Sequence, residues 1–305
     1  MQLLKDREKG RVGGILTLGT FDGVHRGHKA LLEASKAWAK EIDTFVEVWL
    51  YEPHPRTIVR GETLPLLTTL EEKIALLEES NVEITRVVSF TSHLASLSAV
   101  DFLNEWILSL ACPKGVVLGY DHRFGKGREG SADMLRNHGI PVREVAPVME
   151  NSVPISSSHI RQLLGAGAVS EAQNLLGYPY SVGGTVRLGR REARHLGTPT
   201  ANILWPIQKV RLPAGVYVGW AVLNPAHSLP AREGIPALIY LPPEGDLEVH
   251  LLSAEGDFYG SYIRVGFLEK LRSYREFQDR KSLIEQIELD LNKSRDFFGM
   301  KKDVL

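Results

Sequence analysis

The sequence predicts an α/β domain built on a parallel sheet, followed by a small antiparallel β-barrel with a C-terminal helix. Three observations carry that expectation. Over residues 13–178, β-prone runs alternate with helical patterns, the signature of a parallel sheet covered on both faces. From about residue 180 the texture changes to short β-prone runs separated by Gly and Pro, with almost nothing helical between them. One helical stretch, SLIEQIELDLNKSRDFF (282–298), then follows near the end. With 305 residues the chain is long enough for two domains with cores of their own. The boundary is expected near LLGYPYS, giving domains at 1–178 and 179–305.

In the first domain the expected strands are ILTLG (15–19), TFVEVWLY (44–51), RVVSF (86–90), GVVLGY (115–120) and VREVAPV (142–148). Between them, Leu31, Ala34, Trp38 and Ile42 keep one helical face. Thr69 with Glu72 makes a capping box ahead of Ile74 and Leu77, and Phe102, Leu103, Trp106, Ile107 and Leu110 mark a further apolar stripe. In the second domain SVGGTVRLG (181–189), GVYVGWAVL (215–223), IPALIYL (235–241), LEVHLLS (247–253) and YIRVGFL (262–268) read as strands. Ser282 with Glu285 is the expected capping box of the last helix, and Ile284, Ile287 and Leu291 its stripe.

Composition narrows the classes. Hydrophobic residues make up 43% and charged ones 24%, as in ordinary globular proteins. A net charge of −1 creates no global field that would draw the protein to nucleic acid or a membrane. Arg187, Arg190, Arg191 and Arg194 form a basic run, but without the interleaved aromatics of a nucleic-acid site. Cys112 is the only cysteine, which excludes an internal disulfide and a Cys-rich metal cluster. MQLLKDREKGR lacks the apolar core of a signal peptide, and no run approaches the roughly 18 apolar residues of a membrane span. A cytoplasmic location is expected.

The stretch LTLGTFDGVHRGHKALL (16–32) is poor material for a core and good material for a ligand turn. A strand ending at Leu18 and a helix starting near His25 leave Gly19 and Gly23 to form a turn that lets a ligand approach backbone. His25 and His28 then stand one turn apart on the same side of the helix start, where unpaired amides add a partial positive charge. Such a place suits anionic oxygens, above all phosphates whose charge grows during reaction. A surface histidine pair or half a zinc site would use the same residues, but no further ligands stand at zinc-like spacing. In LEVHLLS, alternation puts Glu248 and His250 on one strand face, with Leu247, Val249 and Leu251 on the other.

GTFDGVHRGH resembles the G-x-F-D-G-x-H-x-G-H signature of nucleotidylyltransferases. In its DGVHRGH form the chain is similar to the prokaryotic bifunctional riboflavin kinase/FMN adenylyltransferase, or FAD synthetase, family. The likeness continues in order through EPHP (52–55), LTTLEEKIALLEE (67–79), GYDHRFGKGREG (119–130), ISSSHIRQLL (155–164), GTPTANI (197–203), EVHLL (248–252) and DFYG (257–260). The resemblance implies a Rossmann-like nucleotidylyltransferase domain followed by a riboflavin-kinase barrel. It implies phosphorylation of riboflavin to FMN and adenylylation of FMN to FAD, both with ATP and Mg²⁺, with FMN and FAD as product ligands.

Carried onto this chain, the family's nucleotide site falls on Gly19, Phe21, Asp22, Gly23, His25 and His28, with Ser156, Ser157, Ser158 and Arg161 as its second motif. Ser157 or Ser158 could equally cap the helix HIRQLL. The flavin wall would fall on His54, Asp121, Arg123, Phe124 and Arg128, although a histidine between two prolines also suits a rigid turn. In the barrel the resemblance puts Gly197 and Thr200 on ATP, Thr200 and Asn202 on Mg²⁺, and Glu248 as the base that takes a proton from the ribityl hydroxyl. Two departures stand out. GRREARHLGTPT carries Ala193 for a family Gly and Thr198 for a Phe, and IPALIYLPPEGD replaces a G-x-R-P-T-like run ahead of Glu248. The residues leave other readings open: an FAD synthetase with an impaired kinase half, a non-catalytic flavin or nucleotide sensor, and a cytidylyltransferase for a phospho-alcohol.

Overall fold

The structure is a computed structural model that describes residues 1–187, 201–254, 256 and 258–300. The chain divides into two units, residues 1–157 and 158–305.

The first unit is a six-stranded parallel sheet. Its strands are β1 (Gln2–Lys5), β2 (Ile15–Gly19), β3 (Val46–Glu52), β4 (Ile84–Ser89), β5 (Gly115–Gly119) and β6 (Val142–Val145), in the order β1-β4-β3-β2-β5-β6. Helices α1 (Arg26–Glu41), α2 (Pro55–Arg60), α3 (Leu70–Glu79), α4 (Ser92–Ser96), α5 (Ala99–Phe102) and α6 (Ala132–Asn137) connect them, and a two-stranded hairpin, β7 (Met149–Glu150) with β8 (Val153–Pro154), follows β6. β2 and β3 are buried along nearly their whole length, as central parallel strands must be when both faces are covered. The chain runs from β2 to β3 and β4 on one side, then returns to β5 and β6 on the other. The order therefore reverses between β2 and β5, which pair through Ile15–Gly115 and Leu16–Val116. Open sheets of this kind bind ligands beyond the carboxyl ends of the strands at such a reversal.

The five expected strands are all present, β2 with the expected bounds and the other four with shifted ends, and the parallel α/β architecture is as read. Four details differ. β1 was not expected; its four residues carry too short a pattern, and pairing with β4 makes it a strand. β6 stops at Val145, because Pro147 cannot donate to a ladder. α1 buries Leu32, Ser35, Trp38 and Ala39, so its inner line is offset from the expected one and the two share only Trp38. The stripe around Trp106 forms α5 and then a π-helix over Leu103–Ala111, which buries Leu103, Trp106 and Ile107. The capping box of α3 is as expected: Thr69 accepts from the Glu72 amide and Glu72 accepts from the Thr69 amide.

The second unit begins with α7 (Ser157–Ala166, from its second residue) and α8 (Val169–Leu176), followed by β9 (Tyr180–Thr185), β10 (Ala201–Ile203), β11 (Gly215–Leu223), β12 (Ile235–Leu241), β13 (Leu247–Leu251) and β14 (Tyr262–Ser273). These strands form one antiparallel sheet in the order β10-β13-β12-β11-β14-β9. A bridge between Arg187 and Asn202 brings the two edges together, so the barrel is nearly closed. Val182, Ile203, Tyr217, Ile239, Val249 and Phe267 fill its interior. α9 (Arg280–Phe297) completes the unit as expected, with one correction to its start. Asp279, not Ser282, is the N-cap: its carboxylate accepts from the Ser282 amide at 2.8 Å, while its backbone stays extended.

Inside the first unit an ion pair sits in the sheet. Arg86 and Glu47 are fully buried, with Nε donating to Oε1 at 3.0 Å; the Trp49 indole donates to the same oxygen at 2.7 Å. Arg86 also donates to the carbonyls of Asp6 and Glu8, which ties the segment after β1 to the sheet. Burial raises the Glu47 pKa, and Trp49 and Arg86 oppose that shift. Glu47→Ala would strand a buried guanidinium, a change that costs about 3–5 kcal/mol. Urea unfolding should show this as an earlier first-unit transition, and a loss below about 1 kcal/mol would mean that the pair carries little of the fold.

Candidate functional site

Residues 19–28 form the turn between β2 and α1, on the carboxyl edge of the sheet beside the reversal. Its backbone is held in conformations that side chains avoid. Phe21 lies at φ 47° and Val24 at φ 33°, and between them Gly23 lies at φ 85°, where glycine alone is at ease. What fixes the turn is the carboxylate of Asp22, itself buried. It accepts from the Leu67 amide at 3.0 and 3.2 Å, from the Thr68 amide at 3.1 Å and from the Thr68 hydroxyl at 3.3 Å. The Thr68 hydroxyl in turn accepts from the Gly23 amide at 2.8 Å. The Asp22 carbonyl accepts from the Ser157 hydroxyl at 2.9 Å. Neither Ser157 nor Ser158 therefore caps α7: the helix starts at Ser157, whose hydroxyl is spent on Asp22.

The two histidines sit at the start of α1. His25 is its N-cap, and Nδ1 accepts from the His28 amide at 3.3 Å. The rings stack with centroids 3.7 Å apart and 16° between planes, and His28 also meets the Phe21 ring at 5.0 Å. Gly27 makes room for this: a Cβ there would stand 3.1 Å from the His25 ring. His28 is part-exposed as a residue, but its Nδ1 is shielded and has no hydrogen-bond partner among the described residues. Burial first, then the charges of His25 and Lys73, hold its pKa well below that of a free imidazole. Lys73 is itself buried and paired to Glu52 at 2.8 Å, at the carboxyl end of β3. His28 is thus neutral at pH 7 in the free protein.

The remaining residues of the expected nucleotide and flavin sites lie on other elements, with Ser158 and Arg161 in the second unit. Ser156 is half-buried just before α7; Ser158, exposed, and Arg161, half-buried, ride on that helix. Across the reversal, the loop after β5 exposes Asp121, Arg123 and Arg128, with Arg128 donating to the Asp121 carbonyl at 3.1 Å. Phe124 points inward instead, buried against Phe102 at 5.8 Å. His54 caps α2, its Nδ1 accepting from the Arg56 amide at 3.1 Å. His122, in the same loop as Arg123, departs from the family pattern and was not counted among the expected site residues. Burial takes its pKa down to about 4, with Asp121 opposing and Arg128 and Arg123 assisting.

In the second unit, Asn202 pairs directly with Glu248 across β10 and β13, and both are half-buried on the outer face of the barrel. The burial alternation of β13 puts His250 on that face and Leu247, Val249 and Leu251 inside, as expected. Gly197 and Thr200, with the altered run 189–198, lie outside the described residues. Among those described, no three His, Cys, Asp or Glu side chains gather as a metal cluster. No helix among them is long and apolar enough to cross a membrane.

The described residues thus give a parallel sheet with a glycine-bearing histidine turn at its reversal, and a barrel that sets an amide beside a carboxylate. Comparison with known proteins gives the family. Residues 8–159 match the FAD synthetase family and residues 176–298 the riboflavin kinase family. The bifunctional riboflavin kinase/FMN adenylyltransferase of Escherichia coli K12 is 34% identical over 299 residues, covering 95% of this chain and 94% of the relative. The enzyme of the same name from Bacillus subtilis 168 is 33% identical over 295 residues, covering 93% and 92%. A crystal structure of a macrolide-efflux protein from Streptococcus pneumoniae shares the architecture, with TM-score 0.86, 26% identity, and coverage of 97% and 99%. The chain belongs to the bifunctional riboflavin kinase/FMN adenylyltransferase family. It is a transferase of flavin cofactor biosynthesis with both catalytic domains present.

The shifted imidazole makes a pH prediction. His28 has a folded pKa below its unfolded value near 6.5, so its contribution to stability is complete above about pH 6.5 and is lost as pH falls towards the folded pKa. The unfolded chain binds the proton first. First-unit stability should therefore decline below pH 6.5, and His28→Gln should flatten that decline. Equal slopes for the two proteins would remove His28 from the acid limb; His122 would then be tested in the window from 6.5 to about 4.

Proposed function

We propose that the first unit transfers AMP from ATP to the phosphate of FMN at the His25–His28 turn. One phosphate oxygen of FMN attacks the α-phosphorus of ATP, the bond to the β-phosphate oxygen breaks, and pyrophosphate leaves. The nucleophile is already an anion, so the step needs no general base and rests on positioning and on neutralising the charge of the transition state. The observation that carries this reading is the stacked histidine pair at the mouth of α1, on a turn held by Asp22. Gly19, Phe21 and Gly23 shape the approach to the turn, and Asp22 acts through the backbone it holds. Ser156, Ser158 and Arg161 add hydroxyl and guanidinium donors for the ATP phosphates, while Ser157, whose hydroxyl donates to the Asp22 carbonyl, holds the turn. Asp121, Arg123 and Arg128 face the flavin, with Phe124 supporting their loop and His54 shaping the end of β3.

In the second unit, Glu248 takes the proton of the ribityl 5′-hydroxyl as its oxygen attacks the γ-phosphorus of ATP; the bond to the β-phosphate oxygen breaks and ADP leaves. An alcohol gains from such a base, where a phosphate does not. The amide oxygen of Asn202, directly across from Glu248, is a hard donor of the kind Mg²⁺ prefers, with Thr200 as its companion and Gly197 close to the nucleotide. When bound, Mg²⁺ would offset phosphate charge. The near-zero net charge supports a cytoplasmic enzyme of small molecules, without nucleic-acid or membrane partners.

Three substitutions test the two halves separately. His28→Ala should lower FAD formation from FMN by about a hundredfold or more, the scale of a lost transition-state donor, with riboflavin phosphorylation unchanged. Equal loss of both activities in a folded protein would defeat the two-site assignment. Glu248→Gln should cut phosphorylation roughly 10²–10⁴-fold and leave adenylylation of supplied FMN intact. Asn202→Asp should change the Mg²⁺ titration of the kinase alone; an unaltered titration would take Asn202 out of the metal shell.

A further inference from the structure

The barrel register lines up five side chains in one row. Asn202 stands opposite Glu248, Glu248 opposite Tyr240, Tyr240 opposite Val216, and Val216 opposite Arg272. Directly opposed residues on antiparallel strands project the same way, with Cβ atoms about 4.5–5.5 Å apart. A carboxamide, a carboxylate and a phenol are therefore immediate neighbours on one face, with a guanidinium two steps further along, beyond Val216.

Arg272 is already engaged. Its guanidinium grips Asp290 of α9 at 2.8 to 3.1 Å, and Gln286 donates to the same carboxylate. Tyr240 is different. It is half-buried, yet its hydroxyl makes no hydrogen bond among the described residues. The hydroxyl is not among the buried unpaired atoms, so it is open to solvent or to a ligand. Burial, then the charges of Tyr274 and Glu248, push its pKa up, against Arg272, so the hydroxyl keeps its proton and can donate throughout the physiological range. The site therefore offers an acceptor at Glu248 and an uncommitted donor beside it, a pairing that suits neighbouring hydroxyls on one chain.

We propose that Tyr240 reads the polyol arm of the flavin: its hydroxyl donates to a ribityl hydroxyl next to the one that Glu248 deprotonates. The assignment rests on the reading of Glu248 as the base. It makes Tyr240 a specificity residue for the polyol and not for the ring system. A site built to bond a hydroxyl discriminates against a ligand that lacks it, because its own polar groups are then left unpaired.

The test uses the full chain and two ligands, riboflavin as substrate and lumiflavin, which has the ring but no polyol, as a competitive inhibitor of phosphorylation. Tyr240→Phe should lower kcat/KM for riboflavin roughly two- to tenfold, the worth of one hydrogen bond, while the lumiflavin inhibition constant stays within about twofold. Unchanged kcat/KM would overturn the proposal. So would an equal loss for both ligands, which marks a packing role. Adenylylation of supplied FMN by the same preparation reports that the first unit is intact. Glu248→Gln separates the two failures: if that variant phosphorylates normally, the base assignment falls, whereas an impaired Glu248→Gln with a fully active Tyr240→Phe removes Tyr240 alone.

Discussion

The buried carboxylate of Asp22 is the constraint on which the first unit's chemistry depends. Phe21 and Val24 are bulky residues in a region of backbone space that costs of order 1–3 kcal/mol each to occupy, and such geometry persists only where the surroundings over-determine it. Asp22 supplies that over-determination through the Leu67 and Thr68 amides and the Thr68 hydroxyl. The same three-residue stretch then starts α3, with Thr69 as its cap. One short segment thus holds the ligand turn on one side and launches a helix on the other. The aspartate of the motif works by fixing backbone, and the histidines can be placed because the backbone is fixed.

The barrel half works by a different device. No strained turn is needed; the ladder itself sets the spacing between functional groups. Asn202, Glu248 and Tyr240 come from three strands separated by up to 46 positions in sequence, and only register makes them neighbours. Arg272, clamped to α9 through Asp290, ties the far end of the same row to the terminal helix.

What could be read from the sequence follows from how local each cause is. The phosphate-suited turn was legible because glycines, a strand end and a helix start lie within a dozen residues. The face of Glu248 and His250 was legible because strand alternation is local. The partner of Asp22 was not, since Leu67 and Thr68 lie 45 and 46 residues away and nothing in LTT marks it as a latch. Tyr240 was hidden for a similar reason: in IPALIYL it reads as one more β-prone aromatic, and its meaning comes from the strand beside it. Asp279 was missed as a cap because Ser282 and Glu285 fit the familiar spacing better, although a carboxylate three residues earlier serves the same amide.

The neutral state of His28 has a consequence for how the site meets its ligand. A cationic pocket would keep a standing attraction for every small anion in the cell, including chloride and free phosphate. An imidazole kept uncharged by its surroundings does not. Burial opposes its protonation, and a negative charge placed beside it would favour it.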